Sequence, residues 1–225
     1  VKLAKSLAVG GKVVPLVSED IRLQLHQPGR AVFQVQAAAP LSGLVRFEMG
    51  YTSDEAVAFF MGVVEASHTV DDTQQRIMCR ELAAVLAAPL PVSLRHPDLH
   101  DVLAAYTGLT GLEFVLPDAP YTRRRVPYFQ TLGRGYHGMD QIGAVFGIKD
   151  AMWQQQGDGA VYVGAWQDSR WASRPVELAE KWFSRVSADG GKKLPAIPHL
   201  RPGVQLNGRR VASVQFSGHE MVVQC

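Results

Sequence analysis

Three short runs of strict two-residue alternation dominate the first third of the chain and limit what it can fold into. Ile21, Leu23 and Leu25 alternate with Arg22 and Gln24, Phe33 and Val35 with Gln34 and Gln36, and Val45, Phe47 and Met49 with Arg46 and Glu48. A period of two places each apolar set on one face of a strand. Pro28-Gly29, Pro40 with Ser42-Gly43, and Gly50 with Thr52-Ser53-Asp54 separate the runs at short intervals, as in a sandwich or barrel. Phe59 to Val70 and Gln75 to Arg80 add two strands joined across Asp71-Asp72.

The middle of the chain changes period. Leu99, Val102, Leu103 and Tyr106 fall at i, i+3, i+4 and i+7, so a helix is predicted with Pro97 in its first turn and Gly108 as its stop. Leu112 to Leu116 reads as a strand ended by Pro117. Met139, Ile142, Val145 and Phe146 make a second helix ending at Gly147, and Ala151 to Gln154 with Ala160 to Ala165 make a hairpin across Gly157-Asp158-Gly159. Pro175 to Val186 fits either period and is read as a strand, followed by a solvated loop at Asp189-Gly190-Gly191-Lys192-Lys193.

The chain closes with Val204-Gln205-Leu206, Asn207-Gly208, Arg209 to Phe216, Ser217-Gly218-His219 and Glu220 to Val223. Asn-Gly supplies the two positive-φ residues of a type I′ turn, so a terminal three-stranded meander is expected. Its open edges must be met by earlier strands or by another copy of the chain, which points toward assembly. The predicted fold is mainly β (α+β), with a first β module at 1–88, an α/β insert with two short helices at 89–174, and a second β module at 175–225 that has strands of the insert available to it. A faint echo between Leu41–Val45 and Leu200–Val204, and between Val63–Val70 and Val214–Met221, suggests one β unit used twice.

At 225 residues with 47% hydrophobic and 20% charged residues, the chain can bury a core without staples, and no apolar run reaches the roughly 18 residues of a membrane span. A net charge of +2 is too small for a nucleic-acid surface, which needs many neutralised phosphates. Cys79 and Cys225 read as ordinary thiols in a reducing compartment. The segment around Lys2, Lys5 and Gly10-Gly11-Lys12 lacks the apolar stretch of a signal peptide, so a cytosolic site of synthesis is expected. The chain begins at Val1 rather than at methionine.

The sharpest enzymatic motif is Gly133-Arg134-Gly135-Tyr136-His137-Gly138, with Asp158 twenty residues after Gly138. In a dinucleotide site the glycines admit the pyrophosphate and the acid holds the ribose. A short polar strand before it, a short helix after it and the lack of further βαβ units favour a glycine-rich turn. His96 and His100 with Asp98 and Asp101 resemble a metal set, but His96 precedes Pro97 and a third ligand is not evident. Arg123-Arg124-Arg125 reads as a solvated loop or an intersubunit contact. His68 and His219 read as edge or satisfied polar positions. No catalytic, cofactor or metal residues are assigned, and the chain is read as not an enzyme.

Taken in order, Phe60-Met61-Gly62-Val63-Val64, Val102-Leu103-Ala104-Ala105-Tyr106-Thr107-Gly108-Leu109-Thr110-Gly111-Leu112-Glu113-Phe114, Gly157-Asp158-Gly159-Ala160-Val161-Tyr162-Val163-Gly164 and Ile197-Pro198-His199-Leu200-Arg201-Pro202-Gly203 resemble the bacteriophage tail baseplate hub proteins of the late control protein D family, related to the hub part of type VI secretion spikes. The resemblance implies two tail-tube-like β-barrels around an α/β insert, and a homotrimeric ring whose six barrels match a sixfold tube. It also implies tail tube or distal tail, separate spike or tip, and tape-measure proteins as partners, with DNA only as passing cargo. No membrane anchor is expected, and the implied place is the virion tail tip, assembled in the host bacterial cytoplasm. A nucleotide-dependent oxidoreductase using Gly133–Gly138 and a monomeric ligand-binding β module are the alternatives.

Overall fold

The computed structural model describes residues 2–52, 56–186 and 190–225. The expected break at Ser53-Asp54 and the Asp189 start of the solvated loop lie outside them. Alternation becomes strand in β3 (Leu16–Gln24), β4 (Gln27–Gln36), β5 (Leu44–Gly50), β6 (Val57–Asp71) and β7 (Gln74–Glu81), except that Leu25 turns with His26 between β3 and β4 and the break expected at Pro28-Gly29 lies inside β4. Ahead of them, β1 (Ala4–Val9) and β2 (Lys12–Val13) turn across Gly10-Gly11, both at positive φ, as a two-residue hairpin requires. Between β6 and β7, Asp71 Oδ1 accepts from the Thr73 backbone N–H and hydroxyl, both at 2.8 Å, and so fixes the turn.

The chain divides into two compact units: Val1–Leu82 with Arg174–Cys225, and Ala83–Ser173. Residues 83–88, expected with the first module, cluster with the insert. In the second unit, β8 (Val92–Arg95) pairs antiparallel with β10 (Tyr128–Thr131). The hairpin of β11 (Ala151–Gln155) and β12 (Val161–Ala165) takes β9 (Phe114–Val115) as a parallel neighbour of β12. Helix α1 (Leu99–Thr110) and helix α2 (Gly135–Phe146) bury Leu99, Val102, Leu103 and Tyr106, and Met139, Ile142 and Phe146.

The ends of α1 differ from expectation. Asp98, not Pro97, is the start: it accepts from the Asp101 N–H at 3.0 Å while Asp101 accepts from the Asp98 N–H at 3.1 Å, a capping box. The helix runs through Gly108, where a side chain would meet open space, and stops at Gly111, at φ 73°, whose N–H bonds the Thr107 carbonyl.

In the first unit the closing segment contains β13 (Ser184–Val186), β14 (Lys192–Pro195), β15 (Gln205–Leu206), β16 (Arg209–Arg210), β17 (Ser213–Ser217) and β18 (Glu220–Gln224). The expected three-stranded meander is divided. β15 and β16 form a separate ladder across Asn207-Gly208, whereas β17 and β18 join an eleven-stranded sheet ordered β13-β14-β18-β17-β3-β4-β7-β6-β5-β1-β2. Of the two ways expected to meet the hairpin edges, earlier strands or another copy, the structure shows pairing within the chain, β17 with the early strand β3 and β18 with β14. Pro175 to Val186 is strand only at Ser184–Val186, with a single 3₁₀ turn at Glu180–Trp182 before it. The echo of Val63–Val70 with Val214–Met221 has no structural counterpart, because the first is one strand and the second bends through the β17–β18 turn.

The sheet curls strongly. Phe47 of β5 and Phe216 of β17 stand five places apart in strand order, yet their ring centroids are 5.9 Å apart. Phe33, Phe59 and Phe60 extend the cluster, all fully buried. Where the curl brings β1 toward β3, Lys5 Nζ donates to Glu19 Oε1 at 2.7 Å and to the Gly218 carbonyl at 2.7 Å, and Glu19 accepts from the Gly218 N–H. An ion pair and a turn take the place of a ladder there.

Candidate functional site

The glycine motif at 133–138 is a packing device. A Cβ on Gly135 would lie 2.8 Å from Leu90 and 3.0 Å from Leu86, and one on Gly138 would lie 1.8 Å from the Tyr106 hydroxyl. The Gly135 N–H donates to the Ala88 carbonyl and the His137 N–H to the Arg134 carbonyl, so the start of α2 spends these donors on its own chain. The strand before the motif, β10, lies in an antiparallel two-stranded ladder rather than the parallel sheet a dinucleotide fold supplies. Asp158 caps its own turn by accepting from the Ala160 N–H. These contacts remove the basis of the oxidoreductase alternative.

The remaining sequence candidates also have local roles. Asp98 and Asp101 form the α1 cap, and His96, at φ 51°, offers its carbonyl to Arg125 Nη1 at 2.8 Å. No group of three or more His, Cys, Asp or Glu residues among the described residues could hold a metal ion. Arg123 approaches Asp118 at 3.4 Å, both exposed. His219 lies in the β17–β18 turn, its carbonyl taken by the Ala196 N–H. Cys79 is buried on β7, and burial pushes its thiol up to about 12; Cys225 is exposed. Among the described residues, no helix is long and apolar enough to cross a membrane.

Two features of the first unit have no local sequence signature. The first is a buried lock. Arg201 Nη2 donates to Glu81 Oε1 at 2.8 Å, with the two side chains 7% and 0% exposed. Glu81 Oε2 accepts from the Gly29 N–H at 2.6 Å, and Arg201 donates to the Phe59 carbonyl and lies over the Phe59 ring. The pair ties β4, β6 and β7 to the 196–204 turn. Burial holds the Glu81 carboxyl above its ordinary range, against the opposing pull of Arg201 and the Gly29 N–H.

The second is the outer face of β3, β4, β7 and β6. Register places Arg22 opposite Arg30 and Arg30 opposite Arg80, three cations side by side on one face. The next row on that face is Asp20, Val32 and Met78, and the one beyond is Ser18, Gln34, Arg76 and His68. Asp20 pairs with Arg22 at 3.0 Å and Glu65 with Arg80 at 3.5 Å, while no ion pair among the described residues involves Arg30 or Arg76. A shallow concavity of about 300 Å³ lies along the arginine row. Like charges directly opposite destabilise a sheet. Alternation along each strand marks these positions as solvent-facing but holds no information on their register.

This curled sheet, with an α/β unit inserted between Leu82 and Arg174, has the fold seen in solved bacteriophage tail proteins. The 43 kDa tail protein of prophage MuSo2 from Shewanella oneidensis superposes with a TM-score of 0.67 at 11% identity, over 99% of this chain and 97% of that one. The Escherichia coli c3393 protein, described as a type VI secretion component with structural similarity to T4 tail proteins gp27 and gp5, gives 0.57 at 12% identity over 96% and 75%. In sequence, the chain is similar to an uncharacterized 58.7 kDa protein in the lys 3′ region of Haemophilus phage HP1, 32% identical over 223 residues. That match takes in 99% of this chain and 42% of the phage protein, so the chain spans less than half of its relative. No family model matches.

Proposed function

We propose that the chain is a structural hub of a bacteriophage tail, a ring-forming adaptor that connects the tail tube to the distal tip or spike. Three copies close a ring, each contributing two β modules, so that six modules face a sixfold tube around a channel for DNA or the tape-measure protein. The ring belongs to the virion tail tip and assembles in the host bacterial cytoplasm. It holds a separate spike or tip protein through contacts between surfaces and makes or breaks no covalent bond.

The observation that carries this reading is the composition of the eleven-stranded sheet. Early strands form one uninterrupted block, β3-β4-β7-β6-β5-β1-β2, and late strands another, β13-β14-β18-β17, meeting only where β17 pairs with β3. The two blocks share one sheet and one aromatic core, and on this reading each counts as one of the six modules that a threefold ring sets against a sixfold neighbour. The HP1 phage relative and the tail-protein fold support the same reading.

Mass photometry of the purified chain, followed by negative-stain imaging, tests it. Particles of three copies with a central hole and six lobes are the expected result. Monomers at every concentration, with no ring when purified tail tube is added, would refute it.

A further inference from the structure

The arginine row on the outer face has features that the hub reading does not use. Arg22, Arg30 and Arg80 are cross-strand neighbours, and two carboxylates, Asp20 and Glu65, answer three cations. Arg76, two rows away on the same face, adds a fourth. A sheet that keeps like charges opposed gives up stability unless something outside the sheet compensates. The ligand must bring negative charge.

The chemistry of the face narrows the class. Val32 and the half-exposed Met78 lie between the basic rows, and the two carboxylates are interleaved with them. A phosphate backbone gains nothing from an apolar strip and is repelled by Asp20 and Glu65. A protein surface that presents carboxylates beside an apolar side chain matches all three features.

This chain carries such a surface. At the β6–β7 turn, Val70 is 45% exposed and is followed by the exposed Asp71 and Asp72. Bonds from Thr73 hold the Asp71 carboxyl below its ordinary value, so it stays charged. We infer that the Val70-Asp71-Asp72 turn of one copy docks on the Arg22-Arg30-Arg80 face of the next, apolar residue against Met78 and carboxylates against guanidinium groups. The inference rests on the ring reading and names the contact that would build it. Turn and face lie on one hairpin, six residues from Arg80 to Gln74 or about 20 Å along the strand. The two patches differ, so the contact is heterologous and repeats from copy to copy until it closes.

The test uses the full chain at low ionic strength with Arg30→Glu, Asp72→Lys, the two combined, and an equal mixture of the single variants. All changed positions are exposed, and Arg30→Gln or Asp72→Asn replaces any variant that fails to fold. Each single variant is expected to associate roughly tenfold or more weakly, one charge-assisted contact being lost per junction. The mixture should associate with the two variants in alternation, since each turn meets opposite charge on the other variant's face and like charge on its own, and strict alternation cannot close a ring of three. The combined variant should regain assembly, because face and turn then carry each other's former charge and still attract.

Wild-type rings with single variants that assemble equally well would overturn this contact and leave the hub reading standing. A wild type that stays monomeric, alone and with tail tube, would overturn both. Binding of a short duplex DNA that Arg30→Glu abolishes, with assembly unchanged, would assign the face to phosphate instead.

Discussion

Arg201 and Glu81 are 120 residues apart in sequence and 2.8 Å apart in space, and solvent barely reaches either side chain. Each also serves a second backbone group, the Phe59 carbonyl for Arg201 and the Gly29 N–H for Glu81. The pair therefore acts as one unit, and its parts cannot be removed independently.

Arg201→Ala leaves an uncompensated buried carboxylate and is expected to lower unfolding free energy by roughly 3–5 kcal/mol. The double change Glu81→Leu with Arg201→Met removes both charges and should recover part of that loss. Recovery stays incomplete by about 1–3 kcal/mol, because the Gly29 N–H and the Phe59 carbonyl lose their partners. Denaturant unfolding of the three proteins measures both effects, and a double variant as unstable as Arg201→Ala would contradict the account.

Gly138 exists to admit the Tyr106 hydroxyl, 1.8 Å from where a Cβ would stand. Gly138→Ala should cost about 1–3 kcal/mol through overpacking. Adding Tyr106→Phe removes the colliding oxygen and should restore at least half of the loss. Thermal denaturation provides the comparison, and the same pair of variants should leave any dinucleotide signal at the background of the wild type. A dinucleotide bound by the wild type and lost in Gly138→Ala would reverse the packing assignment.

The two thiols should separate by pH. Cys79 is held up to about 12 by burial against an ordinary value of 9.0, so the folded protein keeps that proton where the unfolded chain loses it. More protons bound in the folded state means that stability falls as pH rises, here from about 9 toward about 12. In the native protein a disulfide-exchange reagent at pH 8 should titrate one thiol, Cys225, and denaturant should release a second. Rapid reaction of both thiols in the folded protein would disprove this.

Much of the first unit is legible in the sequence because alternation is local. Phe33 and Val35, or Phe47 and Met49, announce their inward face without reference to any other strand, and the Asn207-Gly208 turn stands where its φ preference puts it. The stop of α1 is not legible, because Gly108, exposed and in open space, costs the helix little, whereas Gly111 alone takes the left-handed conformation. The division of the meander is hidden as well, because Gly203 and Val204 bond back to Val211, which ends β16 and frees Ser213 to start again beside β3.

The arginine face and the Arg201 lock depend on pairs separated by tens to more than a hundred residues. Arg30 opposite Arg80 follows from the β4–β7 register, and no spacing rule along one strand contains it. Arg201 lies in the Leu200-Arg201-Pro202-Gly203 turn, where no pattern marks a buried charge. Its burial comes from Glu81 and Phe59 meeting it from the far side of the unit.

The seam between β17 and β3 also sets an order of events during synthesis. Gln215 bonds Asp20 across 195 residues, so a polypeptide that has not yet been synthesised as far as Ser213–Phe216 leaves β3 with a bare flank. The late β17–β18 hairpin is thus the piece that completes the sheet beside β3, and a product cut short before it keeps that edge open to other strands.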